Sequence, residues 1–302
     1  MTKRAVVRGV GHYLPERVVP NSEFEGKIDT TDEWIRTRSG IERRHFAAEG
    51  ENTSDLAEAA ARAALKDAGM TPDDLDAIIL ATSTPDLTFP SAATMVQKAL
   101  GMTRGFAFDV QAVCAGFIYA LSTANAMILS GQANRILVIG AETFSRILDW
   151  EDRSTCVLFG DGAGALVLEG AEGEGTAKDR GILATDLHSD GRFGDILYVD
   201  GGVSRGKSGH VRMLGKEVFR HAVEKLAATA HAALDKLGLS GGDVDWIVPH
   251  QANLRIIKAT AQRMQVPMDR VIVTVQDHGN TSAASIPLAL SVGKEQGKIK
   301  EG

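Results

Sequence analysis

Cys114 is one of only two cysteines in a chain of 302 residues, and it stands at a junction. A strand-like run, residues 105–110, leads into it, and a long apolar segment, residues 115–130, follows. A thiol in the first turn of a helix meets unpaired backbone N–H groups and the positive end of the macrodipole. That setting predicts a lowered thiol pKa and more thiolate, the nucleophilic form. Ala115 and Gly116 are small and leave room for a substrate. The competing reading is a buried structural cysteine, the commoner fate of the residue type. Cys156, within Ser154-Thr155-Cys156-Val157-Leu158-Phe159, takes that reading.

Two further segments carry polar groups suited to a site. His250, in Val248-Pro249-His250-Gln251-Ala252-Asn253, follows an apolar run and precedes a helix. Ligands of open α/β sheets gather at the carboxyl ends of strands. This position therefore favours His250 over His12, His45, His188, His210, His221, His231 and His278. Asn280, in His278-Gly279-Asn280-Thr281-Ser282-Ala283-Ala284-Ser285, suits a helix cap or turn. Its amide can equally donate into a site. It is neither acid nor base, so a catalytic role must be electrostatic. A glycine-rich stretch, Phe159-Gly160-Asp161-Gly162-Ala163-Gly164-Ala165, superficially suits a dinucleotide. A strand rather than a helix is expected after it, so we read it as a packed turn.

The elements that must hold these residues follow from periodicity. Continuously apolar runs at 77–82, 106–110, 135–141, 163–169, 246–249 and 271–275 predict strands buried on both faces. Helices are expected at 54–68, 91–100, 114–130, 215–237, 254–264 and 281–295. This alternation predicts an α/β fold with mainly parallel sheets. Residues 170–180 read as a surface linker between two halves, 1–170 and 171–302. A gapless internal repeat supports the division. Residues 65–79 match residues 234–248, each as helix, glycine stop, acidic turn and apolar strand. Continued loosely, the repeat predicts that Cys114 and Asn280 begin equivalent helices facing one centre.

Composition narrows the class. A net charge of −6 argues against general nucleic-acid affinity. Arg8 interrupts any signal-like apolar region, and no uninterrupted apolar run reaches membrane-spanning length. The two cysteines form no disulfide framework, and no Cys/His cluster has metal spacing. The expected compartment is the cytoplasm, with both thiols reduced.

Cys114, then His250-Gln251-Ala252-Asn253, then Gly279-Asn280-Thr281-Ser282-Ala283-Ala284-Ser285 resembles the thiolase superfamily. More narrowly the chain resembles the β-ketoacyl-acyl carrier protein synthase III family. Thr31-Asp32-Glu33-Trp34-Ile35-Arg36-Thr37-Arg38-Ser39-Gly40-Ile41 and Ala81-Thr82-Ser83-Thr84-Pro85-Asp86 extend the likeness across nearly the whole chain. The resemblance implies a five-layer αβαβα fold of two pseudo-twofold-related halves, and a homodimer. It implies a catalytic triad of Cys114, His250 and Asn280. Cys114 would take an acyl group from acetyl-CoA or another short acyl-CoA, and malonyl-acyl carrier protein would then condense with it. No metal and no cofactor are implied, coenzyme A thioester being a substrate. Trp34 and Arg153 would sandwich adenine. Thr30 and Arg38 would lie near the nucleotide, and Asn253 near the pantetheine arm. Phe89 would reach a partner's acyl pocket. Arg255, Lys258 and Arg263, on one helix face with Gln262, would dock the carrier protein. The resemblance also implies a strand pair and a glycine-rich loop past Gly302, supplying one N–H of an oxyanion hole, so a clipped sequence is expected. The alternatives are a related condensing or acyl-transfer enzyme of secondary metabolism, a cysteine thioester hydrolase, and a non-catalytic scaffold.

Overall fold

A computed structural model describes residues 2–300. Its strands are β1 (Thr2–Tyr13), β2 (Arg17–Pro20), β3 (Arg43–Phe46), β4 (Ala77–Ala81), β5 (Phe106–Val110), β6 (Arg135–Glu142), β7 (Gly162–Gly173), β8 (Leu197–Val199) and β9 (Val211–Met213). Its helices are α1 (Asp32–Ser39), α2 (Thr53–Ala68), α3 (Ala92–Ala99), α4 (Gly116–Ser130), α5 (Gly215–Asp235), α6 (Leu254–Arg263), α7 (Val275–His278) and α8 (Ser285–Glu295). The expected end of the second half, Gly302, lies outside the described residues.

A five-stranded sheet in the order β1-β7-β6-β4-β5 organises the first half. The strands β6, β4 and β5 run parallel, as the apolar runs predict, while β7 and β1 add antiparallel at one edge. Periodicity does not anticipate β1, because Lys3, Arg4 and Arg8 interrupt its pattern. Two of those charges find partners at the sheet edge: Arg4 pairs with Asp179 at 2.9 Å and Arg8 with Glu169 at 2.8 Å. Pairing with β1 also carries β7 on to Gly173, so the first residues of the expected linker are strand.

Each face of this sheet is covered by helices rich in small residues. On one side Leu56, Ala60, Ala64, Ala93 and Val96 of α2 and α3 pack on Ile78, Leu80, Leu137 and Ile139. On the other, Phe117, Ala120, Ala124 and Ile128 of α4 pack on Ile79, Ile136 and Val138, with Ile286 and Leu290 of α8 beside them. The stretch Val113–Ser130 is, among the described residues, long and apolar enough by composition to span a membrane. One face of it, Phe117, Ala120, Ala124 and Ile128, packs against the sheet.

Beyond α4 and α8 the layers continue as strand-like segments and then helices α5 and α6, completing an αβαβα order. Ile272 meets α8 on one side, and Ile247 packs with α5 residues Ala230 and Leu234 on the other. The strands expected at 246–249 and 271–275 are reduced to one parallel bridge, Ile247 with Val271. Gln251 explains the break. Its Oε1 accepts the N–H groups of Thr274 at 2.8 Å and Val275 at 3.2 Å, and its Nε2 donates to Pro249 O and Ile272 O. A side chain thus takes the bonds a ladder would have used, Pro249 has no N–H to give, and residues 275–278 coil into α7.

The internal repeat is visible in the turns. Asp74 caps Thr71 and Asp243 caps Ser240 through matching side-chain bonds, after Gly69 (φ 64°) and Gly238 (φ 67°) end the preceding helices. The match continues further than the sequence suggested. Short 3-10 turns, Val113–Ala115 and Ser282–Ala284, precede α4 and α8. Each begins with a non-glycine residue at positive φ, Val113 at 48° and Ser282 at 49°, a separation (282 − 113) of 169 positions. In this register Cys114 corresponds to Ala283 and Asn280 to Gln111. The expected equivalence of Cys114 with Asn280 is therefore corrected. The helical turn α7 replaces the strand from which it was counted.

Candidate active site

Cys114 lies in the 3-10 turn immediately before α4, half-buried at the floor of a cleft. The facing turn comes from residues 282–284. It approaches closely because β6 carries Gly140 at the contact, where a Cβ would stand 2.3 Å from Ala283 O. The thiol donates to Ser282 Oγ at 3.6 Å. The helix start is where the sequence placed it, but the lowered thiol pKa is not found. Protein packed around the sulfur displaces its water and pushes the thiol up to about 11; the Ser282 hydrogen bond opposes this, and the nearby Glu142 carboxyl adds to it. A helix terminus offers an anion about 1 kcal/mol, too little to offset the desolvation of a thiolate.

His250 sits in the irregular segment before α6. Its Nδ1 is 2.5 Å from Ser285 Oγ, and the same hydroxyl accepts the Gln251 N–H at 3.3 Å. Burial pushes the imidazole down to about 4, so it is neutral at physiological pH. Asn280 is held by its backbone on both sides: its N–H donates to Leu158 O at 2.8 Å, and its carbonyl accepts from Gly160 N–H at 3.0 Å. This is the work of the glycine-rich stretch, since a Cβ on Gly160 would stand 2.5 Å from His278 O. The side-chain Oδ1 of Asn280 accepts the Ser282 N–H at 2.9 Å. That bond fixes the amide and leaves Nδ2 for the cleft.

The three side chains line one open cleft of about 2240 Å³, together with Trp34, Arg38, Arg153 and Asn253. Arg153 lies 5.1 Å from the Trp34 ring centroid and Arg38 5.9 Å from it. Inserting a planar ring between two stacking partners needs about 7 Å, two contacts of about 3.5 Å each. The exposed Arg153, paired with Asp29, must therefore swing outward to admit a base. Asn253 caps α6 by accepting the Arg255 N–H at 2.8 Å, and its amide donates to Arg38 O at 3.1 Å. Thr30 lies beside this region but not on the cleft lining, and its hydroxyl is buried without a partner. Phe89 is 82% exposed and does not line its own chain's cleft. Arg255, Lys258, Gln262 and Arg263 are exposed along α6, and Arg255 covers the Phe219 ring at 5.2 Å. Cys156 is fully buried, as expected. Among the described residues no group of three His, Cys, Asp or Glu side chains is placed to hold a metal ion.

Sequence reasoning missed four residues of this site. Ser282 and Ser285 stand inside a motif already singled out, and Gln251 follows His250 directly. Glu142 ends the long buried strand β6. An acid at the carboxyl end of a buried strand was a signal that could have been used.

Comparison with known proteins gives the family. Residues 108–191 match the family model 3-oxoacyl-[acyl-carrier-protein] synthase III, and residues 234–302 match its C-terminal model. The chain is 82% identical over 302 residues to the β-ketoacyl-[acyl-carrier-protein] synthase III of Cereibacter sphaeroides, covering 100% of this chain and 94% of that protein. The crystal structure of 3-oxoacyl-[acyl-carrier-protein] synthase III from Aquifex aeolicus superposes with a TM-score of 0.92 at 45% identity, covering 99% of this chain and 93% of that one. A priming β-ketosynthase from a polyketide biosynthetic pathway superposes at 0.90 with 36% identity, covering 99% and 90%.

Proposed function

The chain belongs to the β-ketoacyl-[acyl-carrier-protein] synthase III family, and from that premise we propose how its cleft works. The protein is an acyltransferase, a thiolase-fold condensing enzyme that initiates fatty acid synthesis. Identity of 82% to a curated synthase, against 36% to the polyketide enzyme, favours this over secondary metabolism.

In our reading Cys114 attacks the thioester of a short acyl-CoA, forming an acyl-enzyme and releasing CoA. Malonyl-acyl carrier protein then enters and loses CO₂. The enolate oxygen needs hydrogen-bond donors aimed where charge develops. Asn280 Nδ2 is one, since Oδ1 is already held by Ser282. His250 is the other. We assign Ser285 Oγ, 2.5 Å from Nδ1, as the donor to that nitrogen, so that the neutral ring carries its proton on Nε2. The carbanion attacks the acyl-cysteine, and acetoacetyl-acyl carrier protein leaves when acetyl-CoA is the primer.

Binding roles follow the same reading. Trp34 and Arg153 hold adenine once Arg153 swings away, Arg38 and Thr30 lie toward the nucleotide, and Asn253 lies toward the pantetheine. Arg255, Lys258 and Arg263 meet the acidic carrier protein. We read the chain as two related halves, 1–170 and 171–302, and as a cytoplasmic homodimer in which Phe89 closes the partner's acyl pocket. The edge strand β5, only partly buried within one chain, supports a second copy there.

The observation that carries the reading is convergence: Cys114, His250 and Asn280, from three distant segments, line one cleft. The test is intact-mass spectrometry after incubation with acetyl-CoA. Wild type gains one acetyl group and Cys114→Ala gains none. An acetylated Cys114→Ala protein overturns the assignment.

A further inference from the structure

We propose that Glu142 is the acceptor of the Cys114 thiol proton, reached through the Ser282 hydroxyl, when the sulfur is acylated. The inference rests on the reading of Cys114 as the acylated nucleophile. Glu142 is fully buried at the end of β6. Its Oε2 accepts from Thr84 Oγ1 at 2.7 Å, Ser83 N–H at 3.0 Å and Thr82 Oγ1 at 3.2 Å. Its Oε1 has no well-formed donor, an unusual state for a buried carboxylate oxygen. The Ser282 hydroxyl favours the charged form of this carboxyl, though no direct hydrogen bond joins it to Oε1.

Ser282 is placed to bridge. It is the hydrogen-bond partner of the Cys114 thiol. Its backbone is held at φ 49° with its N–H on Asn280 Oδ1, so its position is fixed. A hydroxyl accepts and donates at once. The groups facing Glu142 are Thr82, Ser83 and Thr84 from the loop after β4, Ser282, and the Cys114 thiol. Neighbouring Asp161 turns its carboxylate to Ala47 and Ser145. Burial raises the carboxyl to about 7 and the thiol to about 11, so the carboxylate is the group that can hold a proton near neutrality.

The step balances. The S–H bond breaks, its proton moves to Ser282 Oγ, and the Ser282 proton moves to Glu142. The sulfur lone pair forms the new C–S bond, and the old C–S bond breaks to give CoA thiolate. The stored proton returns through Ser282 to that thiolate, giving CoA–SH.

The test is alkylation of Cys114 by iodoacetamide across pH in wild type, Glu142→Gln and Ser282→Ala, with peptide mapping to separate Cys114 from Cys156. In wild type the rate should step up around pH 7 and level off before the thiol itself ionises. Glu142→Gln should lose the step and react about tenfold or more slowly at about pH 8; Ser282→Ala should do the same. The sign is decisive, because removing a neighbouring anion would by itself favour the thiolate and speed alkylation. A Glu142→Gln rate equal to or above wild type overturns the proposal, as does an unchanged Ser282→Ala rate or a wild-type profile with no step. The Ser282→Ala arm and the wild-type profile still decide if Glu142→Gln does not fold. Acetylation of wild type by acetyl-CoA tests the nucleophile separately, so failure of the relay and failure of the active-site reading are distinguishable.

Discussion

Glu142 makes a thermodynamic prediction independent of any kinetic role. Burial, opposed in part by hydrogen bonds from Thr84, Ser83 and Thr82 and by the nearby Ser282 hydroxyl, lifts its carboxyl from 4.5 to about 7 in the folded protein. Between those values the folded state keeps a proton that the unfolded chain has released, so stability falls as pH rises through the window. At about 1.4 kcal/mol per pH unit the full penalty is about 3 kcal/mol above neutrality. Glu142→Gln removes the titration. Whatever its fixed cost in packing, its stability relative to wild type should rise by about 3 kcal/mol between about pH 4.5 and about pH 7. At ~2 °C per kcal/mol for a chain of this size, the melting-temperature difference should change by about 6 °C. His250 and His278, both pushed down to about 4 from 6.5 by burial, act the other way: they cost stability as pH falls toward 4. They are present in both proteins and cancel in the difference. Calorimetric melts of the two proteins across pH measure it. A difference that stays flat across the window shows that Glu142 is ionised in the folded state at all these pH values, and refutes the reasoning.

Two further outcomes follow from the site. His250→Ala and Asn280→Ala should each slow malonyl decarboxylation by about a hundredfold while acetylation of Cys114 changes far less; CO₂ release and adduct formation measured side by side check this, and equal losses contradict the division of roles. Arg255→Glu with Lys258→Glu should raise KM for malonyl-acyl carrier protein about tenfold or more without slowing loading from acetyl-CoA, checked by steady-state kinetics with each substrate varied in turn.

The first half of the fold was legible because its strands are wholly apolar. All five residues of β4 are buried between parallel neighbours, and periodicity finds such runs directly. The helices were legible from alanine-rich stretches with glycine stops, α2 ending at Gly69 for instance. The second half was read less well because side chains replaced backbone there. A residue such as Gln251, which substitutes for a sheet ladder by bonding four backbone groups, leaves no periodic trace. The three catalytic candidates were legible as types at strand-to-helix junctions. Their electrostatics were not. The thiol was expected to be acidified by its helix, yet its pKa is set by how much water its neighbours exclude, and that depends on a turn 168 residues away in the chain.

That turn shows how one arrangement can be used twice with different chemistry. Val113 and Ser282 occupy the same register and the same left-handed conformation. For a β-branched valine this conformation is costly, and a residue persists there only when its surroundings leave it no alternative. The surroundings are the other turn: Gly116 faces Ala283, and Gly140 lets Ala283 settle onto β6. In the first copy the residue after the strained position is Cys114, the proposed nucleophile; in the second it is alanine, and the strained position itself is a serine. Small residues at Gly116 and Ala283 bring the two turns together, so the serine of one meets the sulfur of the other, with Glu142 behind it. A strict copy would have set two sulfurs or two hydroxyls in that space. The offset of one residue between where each copy carries its reactive group is what lets a donor and an acceptor meet.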